Sequence, residues 1–261
     1  MKIRRAGLAG LALLACASLA IAGCGTNSTG TGARAADASP TLAAPRDAVL
    51  ASAQVLTQTT YKYTLSSDGL SGTGTADPAA KKTSMSVSGD QGSAHIKMDI
   101  ILIGTNLWLK MDLGAANKAA GIPTRFMHID QAKLKDKSKF GFSTDDSDPA
   151  ESLKLLKGLV EVQRVDATHY TATVDLTQVT ASSVDASMLD KLGDKAKAVP
   201  ATITLDDKGR LAALTIDLSA VDPTATIKVT YSDFGAPVTI DPPAKSDVVE
   251  APKNVYDMFN N

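Results

Sequence analysis

The chain has 261 residues, with 27 Lys and Arg against 28 Asp and Glu and a formal net charge of −1. That balance leaves no electrostatic basis for nucleic-acid binding. At 44% hydrophobic and 21% charged residues, the composition is that of a folding chain, not a disordered polymer. Aromatics are few (one Trp, five Tyr and five Phe), so a core must be built mainly from aliphatics and Met.

The N-terminus reads as an export address. Lys2, Arg4 and Arg5 form a basic stretch, residues 8–21 are almost unbroken apolar, and Ile21-Ala22-Gly23-Cys24 follows. A basic segment, an apolar segment and small residues before a cleavage point, in that order, are a secretory leader. Its ending in Cys resembles the bacterial lipobox. That implies a diacylglyceryl thioether on Cys24, cleavage after Gly23 and further acylation (a palmitate, for instance) of the new amino group. The apolar run is short of the roughly 20 residues a spanning helix needs. Cys16 lies within the removed leader, so the mature chain is expected to hold no disulfide and no cofactor beyond these acyl groups. Residues 24–45 form the lipidated Cys and a Gly-, Ser-, Thr- and Ala-rich tether. A flexible tether of that length reaches roughly 25 Å. The expected location is the extracytoplasmic face of the cell membrane, with the body at residues 46–261.

Within the body, Val49, Leu50, Ala53 and Leu56 recur at helical spacing and predict a first helix over residues 46–59. The period then changes to two. Tyr61, Tyr63 and Leu65 alternate with polar residues, as do Ile96, Met98, Ile100 and Leu102, and then Leu107, Leu109, Met111 and Leu113. Tyr170, Ala172, Val174 and Leu176 repeat the pattern, followed by Leu214, Ile216 and Leu218, and by Ile227, Val229 and Tyr231. Strands with one apolar and one polar face belong to an antiparallel sheet wet on one side. Residues 206–209, Asp-Asp-Lys-Gly, read as a hairpin turn. Asp148, Pro149 and Glu151 read as a capped helix start, with Leu153, Leu155, Leu156 and Leu159 on the helix. A third helix is expected near residues 184–197, carrying Met188, Leu189 and Leu192. Gly72-Thr73-Gly74 reads as a turn or bulge.

The patterns of catalysis do not assemble. His95, His128 and His169 are scattered and fit no metal-ligand spacing. Gly69-Leu70-Ser71-Gly72-Thr73 fails as a nucleophile elbow, and Asp233-Phe234-Gly235 lacks its kinase companions. Asp145, Asp146 and Asp148 do not follow a calcium-loop spacing. Lys133, Lys135, Lys137 and Lys139 read as a solvated loop. The residues by themselves describe an exported, tethered, non-enzymatic α+β domain.

Several segments resemble the LppX/LprG-type lipoproteins of mycobacteria and related actinobacteria. They are IGTNLWLK at 103–110, FMHID at 126–130, LLKGLV at 155–160, and IKVTYSDFGAPVTI at 227–240 followed by Pro242-Pro243. The resemblance covers roughly residues 46–260. It implies a curved antiparallel β half-barrel, similar to the LolA-type carriers, with helices on its concave face enclosing an apolar cavity. The implied function is to bind an acylated lipid or glycolipid and carry it across or within the cell envelope. The alternative is a cargo-free interaction or sensor module. Implied partners are the lipid, the cytoplasmic membrane through the anchor, and a lipid exporter or other envelope protein, with the protein itself a monomer. On that basis the cavity would be lined by Ile96, Met98, Ile100, Leu102, Leu107, Leu109 and Met111, and on later strands by Val174, Ile216, Leu218, Ile227 and Val229.

Overall fold

The alternation of period two resolves into twelve strands of one open sheet. The computed structural model describes residues 43–260 except 68, 92–93, 136–147, 182–183, 185 and 224. Cys24, the leader, nearly all of the tether, Asp145, Asp146, Lys137 and Lys139 lie outside the described residues. The strands are β1 (Tyr61–Ser67), β2 (Leu70–Asp77), β3 (Lys82–Gln91), β4 (Ala94–Ile103), β5 (Asn106–Asp112) and β6 (Phe126–Ile129), then β7 (Leu159–Arg164), β8 (His169–Val174), β9 (Val199–Leu205), β10 (Leu211–Asp217), β11 (Thr226–Ser232) and β12 (Val248–Glu250). Their spatial order is β12-β6-β5-β4-β3-β2-β1-β11-β10-β9-β8-β7. Every pairing is antiparallel except β12 with β6. The architecture is α+β, with few helices beside a large unclosed sheet.

Register carries the apolar pattern across the whole sheet. Met111, Met98, Val87, Gly72 and Leu65 lie side by side on one face. The row continues through Val229, Leu214, Ile203 and Tyr170. A second row runs from Met127 through Leu109, Ile100, Met85 and Gly74 to Tyr63 and Tyr231. The opposite face is polar and rich in Ser and Thr, where Thr64 and Thr230 share a 2.7 Å hydrogen bond and Ser86 donates to Asp99 at 2.7 Å. A one-residue slip at any pairing would exchange the two faces, so burial of one fixes the register.

Gly72-Thr73-Gly74 lies inside β2, not in a turn. A Cβ at Gly74 would sit 2.2 Å from Cζ of Tyr63, and one at Gly72 would sit 3.0 Å from Cγ2 of Val87. The glycines let the Tyr63 ring lie across the neighbouring strand. At the β9–β10 hairpin, Gly209 adopts φ +74°, and Asp206 accepts hydrogen bonds from the backbone N–H groups of Lys208 and Arg210. Burial alone would raise the Asp206 carboxyl. The Arg210 guanidinium and those two N–H groups outweigh it and hold the group below the usual carboxylate range.

The helices are α1 (Pro45–Gln54), α2 (Ala115–Ala120), α3 (Ser152–Lys157), α4 (Ala186–Leu192) and α5 (Lys253–Asn260). The first is continued by a 3-10 turn to Thr57, and α4 by another to Ala198. Helix α1 packs against β7, β9, β10 and α3. Helix α3 starts later than the capping pattern at Asp148, Pro149 and Glu151 predicts. Residues 148–150 form a turn, Glu151 takes the left-handed conformation at φ +56°, and the helix begins at Ser152. Asp148 still caps, accepting the N–H of Leu153 at 2.5 Å. Gly158 ends the helix, which moves Leu159 onto β7. Leu176 falls in a 3-10 turn and Leu218 just beyond β10.

Replacing Gly74 with Ala is expected to destabilise the fold by about 1–3 kcal/mol through overpacking. In a Tyr63→Leu background the same change should cost at least about 0.5 kcal/mol less, because the clash partner is gone. Urea unfolding of the four proteins reads both effects.

Candidate functional site

The twelve residues expected to line an apolar cavity fall on or beside the apolar face. Ten of them are at most 5% exposed: Ile100, Leu102, Leu107, Leu109, Met111, Val174, Ile216, Leu218, Ile227 and Val229. Ile96 and Met98 are half-buried. With Leu65, Leu70 and Leu113, also half-buried, these two gather where β1, β4 and the β2 and β5 termini share one end of the sheet. The apolar face is therefore closely packed through its middle and looser at that end.

A concavity of about 340 Å³ opens beside the same part of the fold, between α4 and the β10–β11 connection. Met188, Leu218, Val221 and Ala225 form its apolar part, and Ser67, Lys191 and Asp222 its polar part. Leu218 is thus an expected lining residue that borders an open space. Ile100 borders a concavity of about 540 Å³ lined chiefly by polar-face residues such as Thr64, Thr73, Ser84 and Ser86.

A polar cluster lies within the core where β1 meets β11. Asp148 and Ser152 are 0% exposed and Glu151 is 3% exposed. The Tyr231 hydroxyl lies 2.7 Å from Oγ of Ser152 and 3.3 Å from Oδ1 of Asp148. Lys154 pairs with Glu151 at 2.8 Å. Burial, then the nearby Asp148 charge, pushes the Tyr231 phenol well above its usual value. Burial does the same to Tyr63. Both phenols are neutral at physiological pH. Tyr231 serves as a hydrogen-bonding group, whereas the Tyr63 hydroxyl is buried without a hydrogen-bond partner among the described residues and its ring serves in packing. Sequence spacing marks Asp148 as a cap; its contact with the Tyr231 hydroxyl joins residues far apart in sequence and is seen only in the fold.

The histidines stay apart. His95 is 2.9 Å from Asp90 and His169 is 2.9 Å from Asp166, both exposed and near the first residues of β4 and β8. His128 is 3.3 Å from Glu250, and its ring packs against Trp108 at 5.8 Å between centroids. Among the described residues no group of three or more His, Cys, Asp or Glu could hold a metal ion, and no helix is long and apolar enough to cross a membrane. No family model matches the chain, and no curated protein matches it.

Removing the buried Asp148 carboxylate leaves the part-buried Leu153 N–H without its acceptor, so Asp148→Ala should cost about 1–3 kcal/mol. Tyr231→Phe should cost less, and the double variant should cost less than the sum of the two. Denaturant midpoints of the three variants measure this coupling.

Proposed function

We propose that this protein is a membrane-anchored lipoprotein of the LppX/LprG type. In this reading it binds the acyl chains of a lipid or glycolipid between its sheet and helices and carries that lipid across or within the cell envelope. The sheet would then act as a LolA-like half-barrel, with α1, α3 and α4 on its concave side. The observation that carries the reading is the loosening of the apolar face at one end, where Ile96 and Met98 are half-buried and the Leu218 concavity opens beside α4. The resemblance of the segment ending in Cys24 to a lipobox supports it, since an acylated Cys24 would tether the body to a membrane.

The chemistry of carriage is that of surface removal from water. Each methylene withdrawn from water gains about 0.8 kcal/mol. Aliphatic and Met side chains provide that gain without demanding one chain shape, since their contacts are non-directional. A lipid entering at the loose end would replace side-chain contacts with acyl contacts as the helices move outward. The Cys24 acyl groups hold the carrier at the membrane where such lipids reside, at the same gain per buried methylene.

The close packing of the ten buried residues favours a second reading, in which the core holds no cargo and the domain serves as an interaction or sensor module. The two separate on acyl binding. A fluorescent polyene fatty acid titrated into the protein should bind saturably at about one per chain. Filling the concavity beside α4 with Leu218→Trp should reduce that binding at least about tenfold while the fold persists. Absence of saturable binding by the unaltered protein, or binding unchanged by Leu218→Trp, contradicts the carrier reading.

A further inference from the structure

Three segments far apart in sequence meet on the polar face of the sheet, opposite the apolar core. Trp108, the one tryptophan of the chain, alternates with the buried Leu107 and Leu109 and so lies on the other face of β5. Its register partners are Ile101 on β4 and His128 on β6. Beside it, Pro242, Pro243 and β12 close a groove of about 530 Å³ whose polar groups are Asn106, Lys245 and Glu250. That volume falls within the roughly 300–1,000 Å³ of small-molecule sites, which pair apolar walls with a few convergent polar groups.

We propose that this groove binds a pyranose saccharide, with the sugar ring stacked against the indole of Trp108 and its hydroxyls held by Glu250, Asn106 and Lys245. The chemistry matches on each side. A pyranose presents an apolar C–H face and a rim of hydroxyl groups. An aromatic ring receives the first, and groups that both accept and donate receive the second. Glu250 is acceptor-only, Lys245 is donor-only, and Asn106 is both, so vicinal hydroxyls can be met in either sense. The groove walls are preset, because proline fixes its own backbone angle and the His128 ring supports the indole at 5.8 Å. Polyproline ligands dock in aromatic-lined grooves; here the prolines already belong to the wall and Trp108 is the single indole.

The neighbouring concavity of about 540 Å³ shares this face and contains Ile101, the strand partner of Trp108. Its Thr and Ser hydroxyls continue the polar surface away from the indole, which suits a chain of more than one sugar unit. The site is independent of acyl binding, since it occupies the other face of the sheet, and either can fail without the other.

Because the chain has a single tryptophan, its emission reports this groove directly. Maltotriose, cellotriose and chitotriose are titrated separately into the protein, with sucrose matched for viscosity as the control. A saturable change in emission with at least one trisaccharide is expected. Glu250→Ala, at a residue whose side chain is 76% exposed and so separable from folding, should weaken half-saturation by about ten- to a hundred-fold, as loss of a hydrogen bond to a charged group predicts. Trp108→Ala, followed by saturation-transfer NMR, should abolish binding while the circular dichroism of the sheet persists. If it unfolds, the Glu250→Ala result decides. No saturable change with any trisaccharide, a change equal to that of sucrose, a response only to a decaproline peptide, or binding unaltered by Glu250→Ala would overturn the proposal.

Discussion

The seam between β1 and β11 holds both halves of the sheet in one register. Strands β1–β6 lie on one side of it, with the short β12 beyond β6, and strands β7–β11 lie on the other. Tyr63 stands opposite Tyr231, and Leu65 opposite Val229. Aromatics are scarce in this chain, yet four gather here. Tyr61 packs 6.0 Å from Tyr63, 5.5 Å from Tyr231 and 6.2 Å from Phe234. Such rings bury large areas and favour edge-to-face contact, so this cluster concentrates packing where the longest sequence separation must be closed. Gly74 makes room for it from one side, and the Asp148–Ser152 turn is fastened beneath it from the other.

From that seam follow two surfaces with different chemistry. The apolar face is built mainly from aliphatic and Met side chains, whose contacts are non-directional, and the proposed carriage of acyl chains would draw on that property. The polar face is built from hydroxyls, a few charges and one indole, and these are directional groups. The sheet's edges are managed separately. At one edge β12 is a three-residue parallel strand. At the other, β7 carries a register shift between Leu159 and Glu161 and is packed by α1. Short strands and bulges are devices that discourage pairing with further chains.

The alternating strands were legible in the sequence because period two survives wherever one face is buried: β1, β4, β5, β8, β10 and β11 all show it. Strands β2 and β3 were not legible, since Gly72 and Gly74 occupy apolar-face positions that Tyr63 and Val87 fill from neighbouring strands. Nothing local announces such a borrowing. The start of α3 was misplaced because Asp148, Pro149 and Glu151 satisfy a capping pattern while the chain turns once more through Glu151 before winding. Parity puts the expected lining residues on or beside the apolar face, but parity cannot report how tightly a face is packed or whether it encloses a cavity. The groove at Trp108 was invisible for a different reason: it forms only when residues 106–108 and 242–250 are brought together by the β5–β6–β12 edge.

The central claim is that the apolar face admits an acyl chain. The most direct test is native mass spectrometry, with organic extraction, of protein beginning at residue 25 and produced in an actinobacterial host. The account predicts an added mass of about one acyl lipid per chain, recovered in the extract. A clean unliganded mass, with no lipid taken up on later incubation, would contradict it.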